Sequence, residues 1–481
     1  MGAAVSAMTD SAMTGIHQLT ATQLTTAIRS QQVKSVDAVA ACFSQIDRHN
    51  PHLNAFITLC REQAEQAAIA ADQAVQRGEP LGMLHGIPIT IKDLTATAGI
   101  RTTYGSPLYQ NHVPTVSDLC VTRLQAAGAI IIGKTSVPPF GFGTGTENPL
   151  IGKTRNPYDL TRTCGDSSGG AAVAVATGMG YLSQGNDLGG SVRTPASFCG
   201  IVGLRPSIGR IPRSPKLLLW ESLITDGCMT RTVEDAALML AAMAGYDARD
   251  PVAIAQSNWV VPPFNATECP KTRVGFSSDL GIAIVDAEVE RVFLGAIERL
   301  QAAGITARSA HPNCTDAQPT FETLRAALIF QLYGHYIEKH PESLSTTMRW
   351  EIEQGIGISA NAYLAAEAQR GRIYRRFLEF FENYDILAIP TASVPPFPVD
   401  QEAVLAVNNQ SLRNIIDYLV LTYTISLTGL PALSLPCGWT RSGLPIGMQL
   451  VGKPHGESAL LDFAYLLQEK LNFRHRWPSP D

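Results

Sequence analysis

The chain has 481 residues, 45% of them hydrophobic and 16% charged, with a net charge of −5. That composition supports a substantial core and excludes a disordered polymer, and the absence of any Lys/Arg run excludes a nucleic-acid footprint. Nine cysteines, an odd number with no C-x-x-C pair, argue against a disulfide framework or a zinc site and fit reduced, buried thiols in a cytoplasmic protein.

No apolar run reaches the roughly 18–20 residues of a membrane helix, so no membrane partner is expected. Ala171–Leu182 comes closest and is interrupted by Gly178 and Gly180. The opening "MGAAVSAMTDSAMTG" lacks the basic and apolar regions of a signal peptide. Residues 1–13 read as a flexible leader.

Thr20 and Gln23 form a capping box for a short helix. Ser35 caps a second, with Val36, Val39, Ala40, Phe43 and Ile46 on one face, and Asn50-Pro51 stops it. An Ala-rich helix follows over Glu62–Gln76. These helices, within residues 14–80, read as a cover for a sheet. "LHGIPITIKDL" is then a β-rich run bounded by Gly and Pro and ending in lysine. Ser117–Ala127 reads as a helix and Ala129–Ile132 as a buried strand. Glycine and small residues crowd Gly165–Gly209, a pattern of tight turns and close backbone approach. Helices are expected over Val233–Ala244, Asp286–Ala303, Phe321–His340 and Ser359–Phe381. "DILAIP", "LPALSLP" and "IGMQLVG" read as strands. Strands and helices interleave without repeats, which favours one large α/β domain.

"GAIIIGKT" at Gly128–Thr135 satisfies the phosphate-loop pattern, but its middle is a buried strand by composition and Pro138-Pro139 stops any helix after it. It is not read as a nucleotide site. "GDSSGG" resembles the nucleophile loop of Ser-His-Asp proteases, whose chemistry needs a histidine base. His85 sits in a Gly/Pro turn, and His335 and His340 are five apart on a predicted helix, off the i, i+4 ligand spacing. All three are read as structural.

The loop "GNDLGGSVRTPASFCG" (185–200) is more informative. The amides of Leu188, Gly189, Gly190 and Ser191 can converge on one point, as an oxyanion requires. A serine nucleophile needs a base. Lys92 follows Ile87, Ile89 and Ile91 and can be carried inward, though a surface lysine at a strand end is the other reading. As a base it must be neutral, and bringing its pKa from about 10.4 to about 7–8 costs roughly 4 kcal/mol, which burial can impose.

Taken together, "LHGIPITIKD" (84–93), "GKTSVPPFGFGTGTENP" (133–149), "TRNPYDLTRTCGDSSGGAAVAVATG" (154–178), "GNDLGGSVRTPASFCGIVGLRPSIGR" (185–210), "MTRTVEDAALML" (229–240), "LTGLPALSLPCG" (427–438) and "GLPIGMQLVG" (443–452) resemble the amidase signature family over nearly the whole chain. The resemblance implies a single α/β/α domain on a large mixed sheet spanning residues 14–478. Within it, 81–240 form the signature core, 241–385 a variable helical region lining the substrate pocket, and 386–478 a return to the sheet.

The resemblance also implies a Ser–cis-Ser–Lys triad. Ser191 corresponds to the nucleophile, Ser167 to the bridging serine behind a cis peptide bond, and Lys92 to the base. Leu188–Ser191 correspond to the oxyanion loop, Ser168 to a supporting hydrogen-bonder, and Asp187 and Arg193 to an ion pair bracing that loop. No metal or cofactor is implied. The partner is a small-molecule substrate, and the chain acts as a monomer or homodimer.

This sequence departs from the family pattern at Asp166, usually Gly, at Cys164, often Pro or Gly, and at Leu188, commonly Thr. Asp166 is expected to point away from Lys92, toward solvent or loop amides, because a carboxylate facing the lysine favours its charged form. The acyl pocket is expected around Phe140–Thr144, with Gly141 and Phe142, and in Ile329–Ala365, with Phe330, Leu332 and Tyr333. Those residues suggest an apolar or aryl amide, anilide or carbamate, with esterase and urethanase side activity.

Two alternatives stand beside this reading. One is the glutaminase component of a tRNA-dependent amidotransferase, its A chain, although such chains carry "SSLDQIGP" where this one has "ESLITDGC" (221–228). The other is a binding protein on an inactivated amidase fold, which predicts the loss of a triad member; Lys92, Ser167 and Ser191 are all present.

Overall fold

The computed structural model describes residues 15–478, apart from 144, 256–258, 260, 262–263 and 265–271. Residues 1–13, read as a leader, lie outside the described residues.

The main sheet is built from β1 (Phe56–Leu59), β2 (Pro88–Lys92), β3 (Ile130–Thr135), β4 (Leu182–Asp187), β5 (Val202–Arg205), β6 (Thr225–Thr230), β7 (Arg273–Phe276), β8 (Thr306–Ser309), β9 (Ile386–Pro390), β10 (Ala432–Trp439) and β11 (Pro445–Val451). Their order across the sheet is β1-β3-β2-β4-β6-β5-β10-β11-β9-β7-β8. β3, β2 and β4 run parallel, and β9, β7 and β8 form a second parallel group. The strands between them pair antiparallel. Every residue of β2, β3, β6, β9 and β11 is buried. Helices flank this mixed sheet, which explains why its strands read as continuous apolar runs instead of alternating ones.

Several elements follow from local rules. The helix Ala21–Arg29 opens with the Thr20/Gln23 capping box. Ile130–Thr135 is a buried strand, so the lysine of "GKT" stands inside a sheet. Lys134 is fully buried, with its Nζ donating to the Thr97 and Thr102 hydroxyls.

Others differ from the sequence reading. The second helix runs past Pro51 to Leu53 and closes on Asn54 in the left-handed conformation (φ 55), whose N–H donates to Asn50 O. A proline in the last turn gives up only its own N–H bond. The buried face of that helix carries Ala38 and Cys42, while Ala40 is exposed. The expected helix over Phe321–His340 is two, Ala317–Tyr333 and His335–Lys339, divided at Gly334.

The glycine-dense stretch holds regular elements: the helices Gly169–Ala176 and Arg193–Phe198, with β4 between them. Its glycines permit close packing. A Cβ on Gly170 would stand 2.6 Å from Ser136 N and 2.7 Å from Ala55 O, so only glycine lets this helix press against the chain after β3.

Candidate active site

Lys92 ends β2 on the face opposite Ile89 and Ile91, as strand alternation requires. It is fully buried. Its Nζ donates to Ser167 Oγ at 2.7 Å and to Asn186 O at 3.2 Å. Burial pulls the Lys92 pKa down to about 7, against the opposing pull of the Asp166, Asp187 and Asp226 carboxylates. Ser168, which precedes the helix Gly169–Ala176, directs its hydroxyl to the same Asn186 carbonyl at 3.5 Å.

Ser191 lies 8% exposed in the turn between β4 and the helix Arg193–Phe198. Its hydroxyl is within hydrogen-bonding reach of the Asp166 carboxylate. The turn is held from below by Asp187, which accepts the Gly190 N–H at 3.0 Å and the Val192 N–H at 3.1 Å. The same carboxylate takes Arg193 Nη2 at 2.8 Å and Nε at 3.0 Å, and Arg205 Nη1 at 3.0 Å. Burial alone would raise the Asp187 pKa. The two guanidinium groups outweigh it and hold the carboxyl well below the usual carboxylate range. The Arg193–Asp187 ion pair thus braces the loop, and Arg205, to which sequence reasoning assigned no role, doubles it.

The structure corrects three expectations for this site. The Gly190 amide is committed to Asp187, so of the four amides expected to converge, those of Leu188, Gly189 and Ser191 are left for an oxyanion. The peptide before Ser167 is trans; among the described residues the only cis bond is Ser214–Pro215. The reason lies in Asp166, whose Oδ1 accepts the Ser167 N–H at 2.8 Å. A carboxylate can take the N–H of the next residue only when that N–H points to its own side, as it does in a trans peptide. Asp166 is also not turned to solvent. It meets a loop amide, as expected, but lines the cleft beside Ser191, and burial raises its pKa against the pull of that bond and of Lys92.

A narrow cleft opens at Ser191. Gly141, Phe142 and Leu188 line it, with Gly189, Phe321, Ile415, Ile416, Tyr418 and Leu419. Phe321 packs over Gly189 and stacks on Tyr423 with ring centroids 4.3 Å apart. Phe140 and Tyr333 stand behind Phe142 in a separate aromatic cluster, centroids 5.3 Å apart. Leu332 packs against the main core, and Phe330 faces outward at 42% exposure. Thr144 lies outside the described residues. The wall is not wholly apolar as expected: Arg325 and Glu351 form an ion pair on it, and Arg325 lies 5.8 Å from the Phe142 ring centre. Phe321, Arg325, Glu351 and Tyr418 were not found from the sequence, because nothing in their local spacing points at Ser191.

Among the described residues, no group of three or more His, Cys, Asp or Glu gathers to hold a metal ion, and no helix is long and apolar enough to cross a membrane.

The mixed sheet has counterparts among known proteins. The amidase family model matches residues 37–461. The chain belongs to the amidase signature family, whose members are enzymes that hydrolyse carbon-nitrogen bonds. It is 34% identical to the A chain of the glutamyl-tRNA(Gln) amidotransferase of Moorella thermoacetica, over 96% of this chain and 99% of that one. It is equally 34% identical to an acylamidase of Rhodococcus erythropolis, over 93% and 94%. The solved structure of 6-aminohexanoate cyclic dimer hydrolase complexed with substrate matches with a TM-score of 0.86 at 26% identity, covering 96% of this chain and 99% of that one.

Proposed function

We propose that this amidohydrolase cleaves small apolar or aryl amides, anilides or carbamates through a seryl acyl-enzyme. The observation that carries the reading is the 2.7 Å contact between a fully buried Lys92 and Ser167. Neutral Lys92 takes the Ser167 proton as Ser167 takes that of Ser191, whose hydroxyl turns from Asp166 to do so. Ser191 Oγ attacks the carbonyl carbon, and the oxygen that gains the electron pair faces the amides of Leu188, Gly189 and Ser191. The proton returns through Ser167 to the leaving nitrogen, the C–N bond breaks, and water hydrolyses the ester left on Ser191. Ser168 holds the Asn186 carbonyl that also receives Lys92, and Asp187 and Arg193 hold the loop. No step calls for a cofactor or metal.

The substrate class rests on Phe142, Leu188, Phe321, Ile415, Ile416 and Leu419 around the cleft. Esterase and urethanase activity follow from the same acyl-enzyme.

A second reading has an observation of its own. The 34% identity to the A chain of a glutamyl-tRNA(Gln) amidotransferase over almost the whole of both chains favours a glutaminase that works within a complex. The purified chain alone, given anilides, aliphatic amides, aryl carbamates, esters and glutamine, separates the two. Turnover of anilides or carbamates without a partner supports the first. Turnover of glutamine alone, or only with partner chains, supports the second, and inactivity on every substrate under both conditions sinks both.

A further inference from the structure

Asp166 has no part in the proton relay, yet its carboxylate lies on the wall of the cleft beside Ser191. It is 5% exposed. Oδ1 accepts the Ser167 N–H at 2.8 Å, and the Ser191 hydroxyl lies within hydrogen-bonding reach of the same carboxylate. The other acid on the wall, Glu351, is already paired with Arg325.

The next step rests on the serine-lysine reading above. When Ser191 gives its proton to Ser167 and bonds the carbonyl carbon, it has no hydrogen left to donate. The Asp166 carboxylate then loses a partner in a site nearly closed to water, where an unpaired acceptor is costly. The leaving nitrogen must face Ser167 Oγ to receive the returning proton. The Asp166 carboxylate stands on the cleft wall within reach of the Ser191 hydroxyl, so a nitrogen leaving the carbon bonded to Ser191 departs beside it.

We infer that Asp166 is a specificity-determining residue: its carboxylate accepts the N–H of the scissile amide as the tetrahedral adduct forms. The site therefore selects primary and secondary amides over esters and over N,N-disubstituted amides. The bookkeeping of the reaction is unchanged. The Ser191 proton still travels through Ser167 to Lys92 and back to nitrogen, the Ser191 O–C bond forms and the C–N bond breaks. Asp166 neither gains nor loses a proton.

The test compares kcat/KM for para-nitroacetanilide, N-methyl-para-nitroacetanilide and para-nitrophenyl acetate at about pH 8, on the ionised side of the Asp166 titration. Asp166→Asn keeps an oxygen for the Ser167 N–H and turns an NH2 group toward the leaving nitrogen. The ratio of anilide to ester should fall by at least ~10-fold, and discrimination against the N-methyl anilide should shrink with it. Asp166→Gly should move both in the same direction. If both ratios stay within about twofold of the native enzyme while all rates fall together, Asp166 only holds the loop and the inference is wrong. Native enzyme that shows no discrimination against the N-methyl anilide overturns it too. Failure of Ser191→Ala to abolish turnover overturns instead the serine-lysine reading and, with it, this inference.

Discussion

Arg205 reaches Asp187 from two strands away, its Nη1 3.0 Å from Oδ1, so that one buried carboxylate answers two buried guanidinium groups. Asp187→Asn leaves Arg193 and Arg205 without their counter-charge. The expected loss of stability is about 3–5 kcal/mol. Urea unfolding should show a lower midpoint with the same slope; a midpoint unchanged from the native protein would mean that the cluster does not hold the loop.

Lys92 should set the acid limb of activity. Its charged form cannot accept a proton, and its pKa is lowered to about 7. kcat/KM should therefore rise with pH through that region and level off above it. Asp166, Asp187 and Asp226 all push this value up. Asp166→Asn removes one of them and should move the limb to lower pH. Lys92→Met should cost about 10²–10⁴-fold on anilides and less on activated esters, whose leaving groups need no proton. Equal losses on both would argue against lysine as the source of that proton.

Gly190 tests the oxyanion loop. Its φ is +136, and a Cβ there would stand 2.4 Å from Thr422 Oγ1 and 2.7 Å from Thr422 Cβ. Gly190→Ala should cost about 1–3 kcal/mol of stability and shift the amides of Gly189 and Ser191. Acylation, read by stopped flow, should slow more than KM changes.

Two phenylalanines on one helix should behave differently. Phe321 packs over Gly189 on the cleft wall, so Phe321→Ala should raise KM for aryl substrates by about 10-fold. Phe330 faces outward, and Phe330→Ala should leave kcat/KM within about twofold. Matching effects would place the acyl pocket elsewhere.

Much of this site was legible in the chain. The apolar run before Lys92 predicted a strand, which is covered on both faces and so buries the lysine opposite Ile89 and Ile91, and the double-serine and GGS loops pointed to Ser167 and Ser191. The partners that complete the geometry were not legible. Arg205 and Phe321 come from separate segments, and only the tertiary fold brings them near Ser191. Asp166 was misread for a different reason. The expectation of a cis peptide came from chains with glycine there, and an aspartate adds a carboxylate that captures the next N–H only in the trans form. Pro51 misled because its cost depends on how near the helix end it falls.

Lys92 and Asp187 end β2 and β4, which are hydrogen-bonded neighbours running in parallel. On the proposed reading, the distance between proton acceptor and oxyanion loop is therefore set by the backbone ladder of the sheet. The cleft wall draws in addition on later segments, with Phe321, Arg325, Thr347, Glu351, Ile415, Ile416, Tyr418 and Leu419 standing beside Phe142, Asp166 and Leu188 of the core. On the proposed reading, recognition is thus shared between the core that carries the serines and the lysine and these later segments. Replacing the later segments should retune what the enzyme accepts while the strand-borne spacing of Lys92 and the Asp187 loop stays fixed.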